Sequence, residues 1–102
     1  MKSKEFTTNE VQEQFMNHVR MLIEYWDKSD KETTKEKIEG FAFSLLATID
    51  GCGVDLPPFI LAPEPHEDDK QYHINNGNNY YAENNNANCD IAGNLHELLY
   101  KA

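Results

Sequence analysis

The stretch VQEQFMNHVRMLIEYW, residues 11–26, decides the fold, because its apolar residues recur at spacings of three and four. That spacing predicts one apolar stripe along a helix. The stripe consists of Val11, Phe15, Val19, Leu22, Ile23 and Trp26. Thr7 and Glu10 have the spacing of a capping box, which predicts that the helix begins there.

A second helix follows a polar, charged linker. Thr33 and Glu36 again have capping-box spacing, and helical intervals separate the apolar residues Ile38, Phe41, Ala42, Leu45 and Ile49. We expect this helix to run from about Thr34 to Asp50 and to stop at Gly51, because glycine accepts the left-handed conformation. Gly40 costs up to about 1 kcal/mol relative to alanine, which suggests the close approach of another backbone. The two helices are predicted to pack as an antiparallel hairpin.

The next segment, LPPFILAP at residues 56–63, is too short and too rich in proline for a helix. It predicts an extended, stiff strap, or at most an edge strand. Residues 66–76 allow either a short helix that stops at Gly77 or one arm of a hairpin that turns at Asn76 and Gly77, and we favour the helix. Residues 75–88 are rich in asparagine and predict a surface loop.

A last apolar stripe follows Asp90, which predicts a helix capped by Asp90 that docks on the hairpin. Its members are Ile91, Leu95, Leu98 and Leu99. The expected fold class is therefore mainly α with little β: an N-terminal helical hairpin, a proline-rich extended strap, and one or two short C-terminal helices. We expect residues 1–102 to form a single domain, with residues 1–7 as a flexible N-terminus.

The charge of the chain restricts its partners. The 102 residues include 18 acidic and 9 basic residues, and residues 51–102 hold 8 of the acids and only 2 of the bases. A negative surface repels phosphate groups, so we expect no direct binding of nucleic acid or membrane, whereas a basic protein partner would be attracted. With no long apolar run and no signal-peptide core, a cytoplasmic protein is predicted, with Cys52 and Cys89 as reduced thiols.

Few residues of the sequence indicate a catalytic, cofactor-binding or metal-binding role. The sequence contains no nucleotide-binding motif, and we predict no cofactor and no catalytic residue. Imidazole and carboxylate groups bind zinc, iron or manganese, and the candidate metal ligands are His66, Asp68, Asp69 and His73. An acidic first helical turn accounts for the same carboxylates. His96 and Glu97 begin a pattern like the zinc-protease motif HExxH, but Tyr100 stands where the second histidine is needed.

Three stretches resemble a family of small uncharacterised acidic proteins encoded by bacteriophages and prophages: GFAFSLLATIDG at 40–51, LPPFILAPEPHEDDKQYHINNGNNYY at 56–81, and DIAGNLHELLY at 90–100. The likeness covers residues 38–100. It rests on Gly40, Ala42, Phe43, Ser44, Asp50, Gly51, Pro65, His66, Asp69, Gly77, Asn79, Tyr80, Tyr81, Asp90, Ile91, Gly93, Leu95, His96 and Glu97. The insert NNNANC at residues 84–89 departs from the family pattern.

The resemblance implies an accessory phage or prophage protein that acts on a host or phage partner. If its polar positions gather on one surface, that surface is the candidate site; they are His66, Asp69, Asn79, Tyr80, Asp90, His96 and Glu97. The competing interpretation is that these residues only support the scaffold.

The function predicted from these observations is non-enzymatic binding of a protein partner through the acidic second half, and the oligomeric state is left open. One alternative is a metal-binding protein or metal-dependent enzyme that uses the region of His66, Asp69, His73 and His96. Another is an acidic nucleic-acid mimic that inhibits a host nucleic-acid-binding protein.

Overall fold

The computed structural model describes residues 3–30, 32–53, 55–83 and 87–100. In these ranges the helices are α1 Thr8–Asp27, α2 Thr34–Ile49, α3 Asp69–Asn75 and α4 Leu95–Leu98, and there is no β-strand. The predicted mainly α class, with an N-terminal hairpin and short later helices, is confirmed. None of the described helices has the length and apolar content that crossing a bilayer requires.

Both long helices begin at the capping boxes that the sequence predicts. The N–H of Glu10 donates to Thr7 Oγ1 at 3.1 Å, and the N–H of Thr7 donates to Glu10 Oε1 at 2.9 Å. Thr33 and Glu36 form the same reciprocal pair at 2.9 and 3.2 Å. Each box satisfies two backbone donors that would otherwise lack a helical partner. At the other end of α2, Gly51 has φ 87°, the left-handed conformation expected of a helix stop.

The capping carboxylates are also held in their charged form. Lys4 Nζ donates to Glu10 at 2.7 Å, and together with the N–H of Thr7 it lowers the pKa of Glu10 from 4.5 to about 2. The N–H of Thr33 lowers the pKa of Glu36 in the same way. Hydrogen bonds to a carboxylate favour its ionised form, so both capping carboxylates stay ionised at pH values below the ordinary pKa of glutamate.

Polar and aromatic contacts fix the antiparallel pairing of α1 and α2. His18 Nε2 lies 3.0 Å from Thr48 Oγ1, and Trp26 Nε1 donates to Ser44 Oγ at 3.1 Å. A Cβ built on Gly40 would lie 2.4 Å from the nearest ring carbon of Trp26. The close approach at Gly40 is therefore made by an indole ring, and the prediction of another backbone at that position is wrong.

The strap, residues 56–63, leaves the turn after α2 and passes over the hairpin without regular secondary structure. The N–H of Phe59 donates to the carbonyl of Ile49 at 2.9 Å, and the Phe59 ring meets Phe15 edge-on with centroids 5.3 Å apart. Of the two forms considered for this segment, the edge strand is not observed among the described residues, because the strap runs beside a helix end that offers no ladder of backbone partners.

The C-terminal segment, residues 87–100, docks on α1. Gln12 Nε2 donates to the carbonyl of Ile91 at 2.9 Å. Arg20 Nε donates to the carbonyl of Leu99 at 3.2 Å, and the same guanidinium donates to the carbonyl of Leu98. These bonds satisfy carbonyl groups at the end of α4, which a helix of four residues cannot pair internally.

The start of α4 differs from the prediction. Asn94, and not Asp90, is the N-cap residue of α4. Asp90 Oδ1 instead accepts the N–H of Ala92 at 2.9 Å, in a local turn of the kind that aspartate favours. The predicted capping role of Asp90 is therefore wrong, and α4 is shorter than its apolar stripe suggests.

The buried core is small for a chain of this length. Among the described residues, the buried apolar ones are Phe15, Met16, Val19 and Ile91, and each keeps 4–8% of its surface exposed. The radius of gyration is 17.6 Å, against about 13 Å for a compact domain of 102 residues. The accessible surface is 8669 Å², roughly 2,800 Å² more than the area typical of a compact monomer of 11.8 kDa. The chain is therefore less compact than a typical monomer of its size.

Candidate functional site

An open apolar groove of about 410 Å³ lies between α1, the strap and the C-terminal segment. Phe15 and Ile91, both part of the buried core, lie at its floor. Ile60 and Leu61 of the strap also line it and are 71% and 80% exposed. Its volume falls in the range of about 300–1,000 Å³ that is usual for ligand pockets. We call this feature the groove.

The walls of the groove combine the rigid hairpin with two segments of irregular structure. Val11 and Phe15 come from α1, while Asp90 and the exposed free thiol of Cys89 come from the C-terminal segment. Pro57, in the strap, stiffens the facing wall, because its ring fixes one backbone torsion. The groove is therefore apolar at its floor and carries a carboxylate at its edge.

A second apolar surface lies on α2, mostly on the side away from α1, and at its edge Ile38 borders a shallow pocket that Ile23 and Trp26 of α1 also line. Ile38, Phe43 and Leu46 are 64%, 74% and 57% exposed, and Ala42 between them is exposed as well. We call these four residues the α2 face. The nine residues 41–49 contain no charged side chain. A helix that is apolar on all sides is normally buried on all sides, so this face is typical of a binding surface.

Part of the polar surface expected from the sequence lies around α3. Asp69 Oδ2 accepts the N–H of His66 at 3.0 Å, at the start of this helix. Lys70 Nζ lies 5.5 Å from the centroid of the Tyr80 ring, which places Tyr80 beside α3. Asn79 precedes Tyr80 and is exposed. The structure therefore brings His66, Asp69 and Tyr80 into one region.

The other members lie at the C-terminal segment. Asp90 is engaged in its turn with Ala92. His96 Nε2 and Glu97 Oε1 are 3.9 Å apart, and their side chains are 84% and 66% exposed. Within the ranges that the structure describes, α3 contacts neither α4 nor the hairpin helices. The seven candidate residues are therefore divided between two regions.

The candidate metal ligands are only partly together. The ligand atoms of His66, Glu67 and Asp68 lie within 4.8 Å of one another, and all three residues are exposed. However, His66 Nδ1 accepts the N–H of Asp68 at 3.2 Å, which occupies that lone pair. Asp69 and His73 are outside this cluster. Exposed carboxylates in the first turn of a helix are common without a cation, so the cluster does not define a metal site.

His73 has a different environment. Its ring packs edge-on against Tyr72 with centroids 5.3 Å apart. Its Nδ1 is enclosed and has no hydrogen-bond partner among the described residues. The helix around it, α3, is the one predicted for residues 66–76, and Gly77 follows it with φ 68° as the predicted stop. His73 therefore packs against its own helix and not against His66.

Comparison with family models, curated proteins and solved structures gives no match. The function therefore has to be inferred from the two apolar surfaces and from the charge of the chain. Neither the groove nor the α2 face is among the features predicted from the sequence. The sequence of α2 does contain an indication of its exposed apolar surface, because Phe43 and Leu46 lie off the apolar stripe that packs on α1.

Proposed function

We propose that this protein acts without catalysis, by binding another protein at the groove. The observation that carries the proposal is the pair Ile60 and Leu61, which stand 71% and 80% exposed at a groove floored by the buried core. Large apolar side chains at an open groove mark interaction sites, because burying them removes apolar surface from water. The proline-rich strap keeps both side chains in place before binding, which lowers the entropy lost on association.

The charge of the surrounding chain selects the chemistry of the partner. Asp55 and Glu64 flank the strap, and Asp90 lies on the opposite wall of the groove. A segment with two or three apolar side chains between lysines or arginines would fit both the groove and its acidic border. Complementary charge accelerates encounter and makes the rate sensitive to salt. The partner is therefore a basic, amphipathic protein segment.

The place of the protein in the cell is part of the same proposal. The resemblance of residues 38–100 to small acidic proteins of bacteriophages and prophages supports an accessory protein that acts in the bacterial cytoplasm. The target is then a host or phage protein.

The test is capture of partners from bacterial lysate by the tagged protein, at low and at high salt, with identification by mass spectrometry. The variant Ile60→Ser with Leu61→Ser removes the apolar edge of the groove, and both positions are exposed enough to accept serine. The matched control is Phe43→Ser with Leu46→Ser, which makes the same kind of change on the α2 face. A partner must then be purified and its affinity measured by titration calorimetry.

We expect a basic partner that the groove variant loses, that the α2 variant keeps, and that high salt weakens. Equal affinity of wild type and groove variant would refute the groove as the site. A stoichiometric transition metal in the purified protein, lost on His66→Ala, would instead favour the metal-dependent alternative. A nucleic-acid enzyme inhibited equally well by the groove variant would favour the nucleic-acid mimic.

A further inference from the structure

The α2 face is separate from the groove, and its chemistry indicates a different occupant. We propose that it binds the α2 face of a second copy of this chain, with the two α2 helices antiparallel, so that the protein is a homodimer. This inference does not rest on the proposed function, because the residues of the groove take no part in it. The argument comes from three features of α2: its area, its uncharged centre and the charges at its ends.

The exposed area matches what a dimer needs. Ile38, Phe43 and Leu46 together leave about 400 Å² of apolar surface exposed, given their exposed fractions and typical side-chain areas. A standard interface buries about 800 Å² on each partner, of which roughly 460 Å² is non-polar. Three side chains therefore supply most of the apolar part of one interface. The chain also exposes roughly 2,800 Å² more than a compact monomer, so this burial still leaves the groove free.

The residues at the centre of the α2 face are compatible with packing against the same residues of a second chain. The chain carries a net charge of −9, so two copies repel each other wherever their acids meet. Residues 41–49 carry no charge, whereas Glu39, which precedes this run, lies on the same side of the helix as Leu46 and pairs with Lys35 of its own chain at 3.7 Å. Around a twofold axis between residues 42 and 43, Phe43 of each chain packs against the small Ala42 of the other. An isologous contact of this kind pairs large with small side chains and closes on itself.

The charges at the two ends of α2 determine the relative orientation of the two helices in the dimer. Lys35 lies at the start of α2 and Asp50 at its C-cap, and both are exposed. Fifteen residues separate them, so they lie about 22 Å apart along the axis and within about 60° of each other around it. In the antiparallel pair, Lys35 of each chain faces Asp50 of the other, whereas a parallel pair would bring like charges together. The helix dipoles also favour the antiparallel arrangement.

Sedimentation of the full chain between about 1 and 100 µM tests the dimer. We expect a dimer in this range that persists at high salt, because its centre is apolar and salt screens the repulsion between the two acidic chains. Phe43→Ser with Leu46→Ser should give a monomer, and the matched control Ile60→Ser with Leu61→Ser should remain a dimer. A monomeric wild type, or a dimer that survives the α2 substitutions, would overturn the inference.

Exchanging the charges of Lys35 and Asp50 tests the antiparallel orientation of the two helices, and this test does not depend on core packing. Lys35→Asp and Asp50→Lys each bring two like-charge pairs together in the dimer, and each should raise the dissociation constant about tenfold. The double variant restores both pairs and should return the wild-type value. Both substitutions agree with the helix dipole. Lys35→Asp also removes the exposed contact between Lys35 and Glu39 of the same helix, and this contact is absent from the single and the double variant alike, so their comparison still tests the orientation. Failure of the double variant to restore association would overturn the antiparallel register.

Discussion

Replacing Gly40 by alanine should destabilise the hairpin, although the same change inside most helices is stabilising. Alanine gains up to about 1 kcal/mol from helix propensity. Its Cβ, however, would lie 2.4, 2.5 and 2.7 Å from three carbons of the Trp26 ring, where carbon atoms pack at about 3.5–4.0 Å. The ring must therefore move by about 1 Å or more, and overpacking of this kind costs about 1–3 kcal/mol.

Displacement of the Trp26 ring also breaks a hydrogen bond. Trp26 Nε1 donates to Ser44 Oγ at 3.1 Å, and a displaced ring loses this bond, which is worth about 0.5–1.5 kcal/mol. Set against the gain in propensity, the net effect is a loss of about 1–2 kcal/mol in the free energy of unfolding. Urea unfolding followed by circular dichroism should show a midpoint lowered by roughly 1 M. The chain has a single tryptophan, so its fluorescence reports the displaced ring directly.

The control is the same substitution in a Trp26→Leu background, where no ring opposes the new Cβ. There Gly40→Ala should be stabilising, by up to about 1 kcal/mol. All four proteins must be compared at one concentration, because association contributes to apparent stability. A stabilising effect of Gly40→Ala in both backgrounds would show that the indole does not require a glycine at this position, and the packing argument would fail.

Two further predictions concern α1 and its contact with α2. The pKa of Glu10 is lowered to about 2, so its contribution to stability is complete above the unfolded pKa of 4.5 and is lost as pH falls from 4.5 to about 2. Carboxyl NMR should give a midpoint near 2, Glu10→Gln should remove this part of the pH dependence, and a midpoint near 4.5 would contradict it. Thr48 is 2% exposed, and its hydroxyl donates to the carbonyl of Ser44 at 2.8 Å and accepts from His18 Nε2 at 3.0 Å. Thr48→Val should cost about 1–2 kcal/mol in urea unfolding, against little change for the exposed control Thr34→Val; equal effects would refute the role of the hydroxyl.

The elements that the sequence predicts well are those determined locally. A capping box involves residues three apart, so Thr7 with Glu10 and Thr33 with Glu36 are visible in the sequence itself. The stop at Gly51 is local for the same reason.

The errors occur where distant residues decide the outcome. Gly40 faces Trp26, which lies on another helix, and the sequence gives no indication of which group approaches a glycine. Asp90 meets the general preference for an N-cap, yet docking of Ile91 on Gln12 holds the segment in a turn until Asn94. Tertiary contacts override local propensity in such short segments.

The surfaces are harder still to predict. An apolar stripe shows which residues of α2 face α1, but Phe43 and Leu46 are exposed because no other described helix packs over that side of α2. The groove needs Ile60 and Ile91 to meet from separate segments. The polar candidates follow from the resemblance, which contains no information on their positions in space, and their division between α3 and the C-terminal segment depends on the fold of the whole second half.

The docking of the C-terminal segment determines the order in which the molecule assembles. Gln12 and Ile91 are 79 residues apart, and closing a flexible loop of that length costs about 4 kcal/mol in chain entropy, beyond a constant. The contacts of the hairpin close shorter loops of 18 to 30 residues, which cost about 3 kcal/mol by the same relation, so we expect the hairpin to form first and the segment to attach last and detach first. One wall of the groove belongs to that segment. The groove is therefore complete only when this segment is docked, and the proposed partner, once bound there, would stabilise the docked form of the segment.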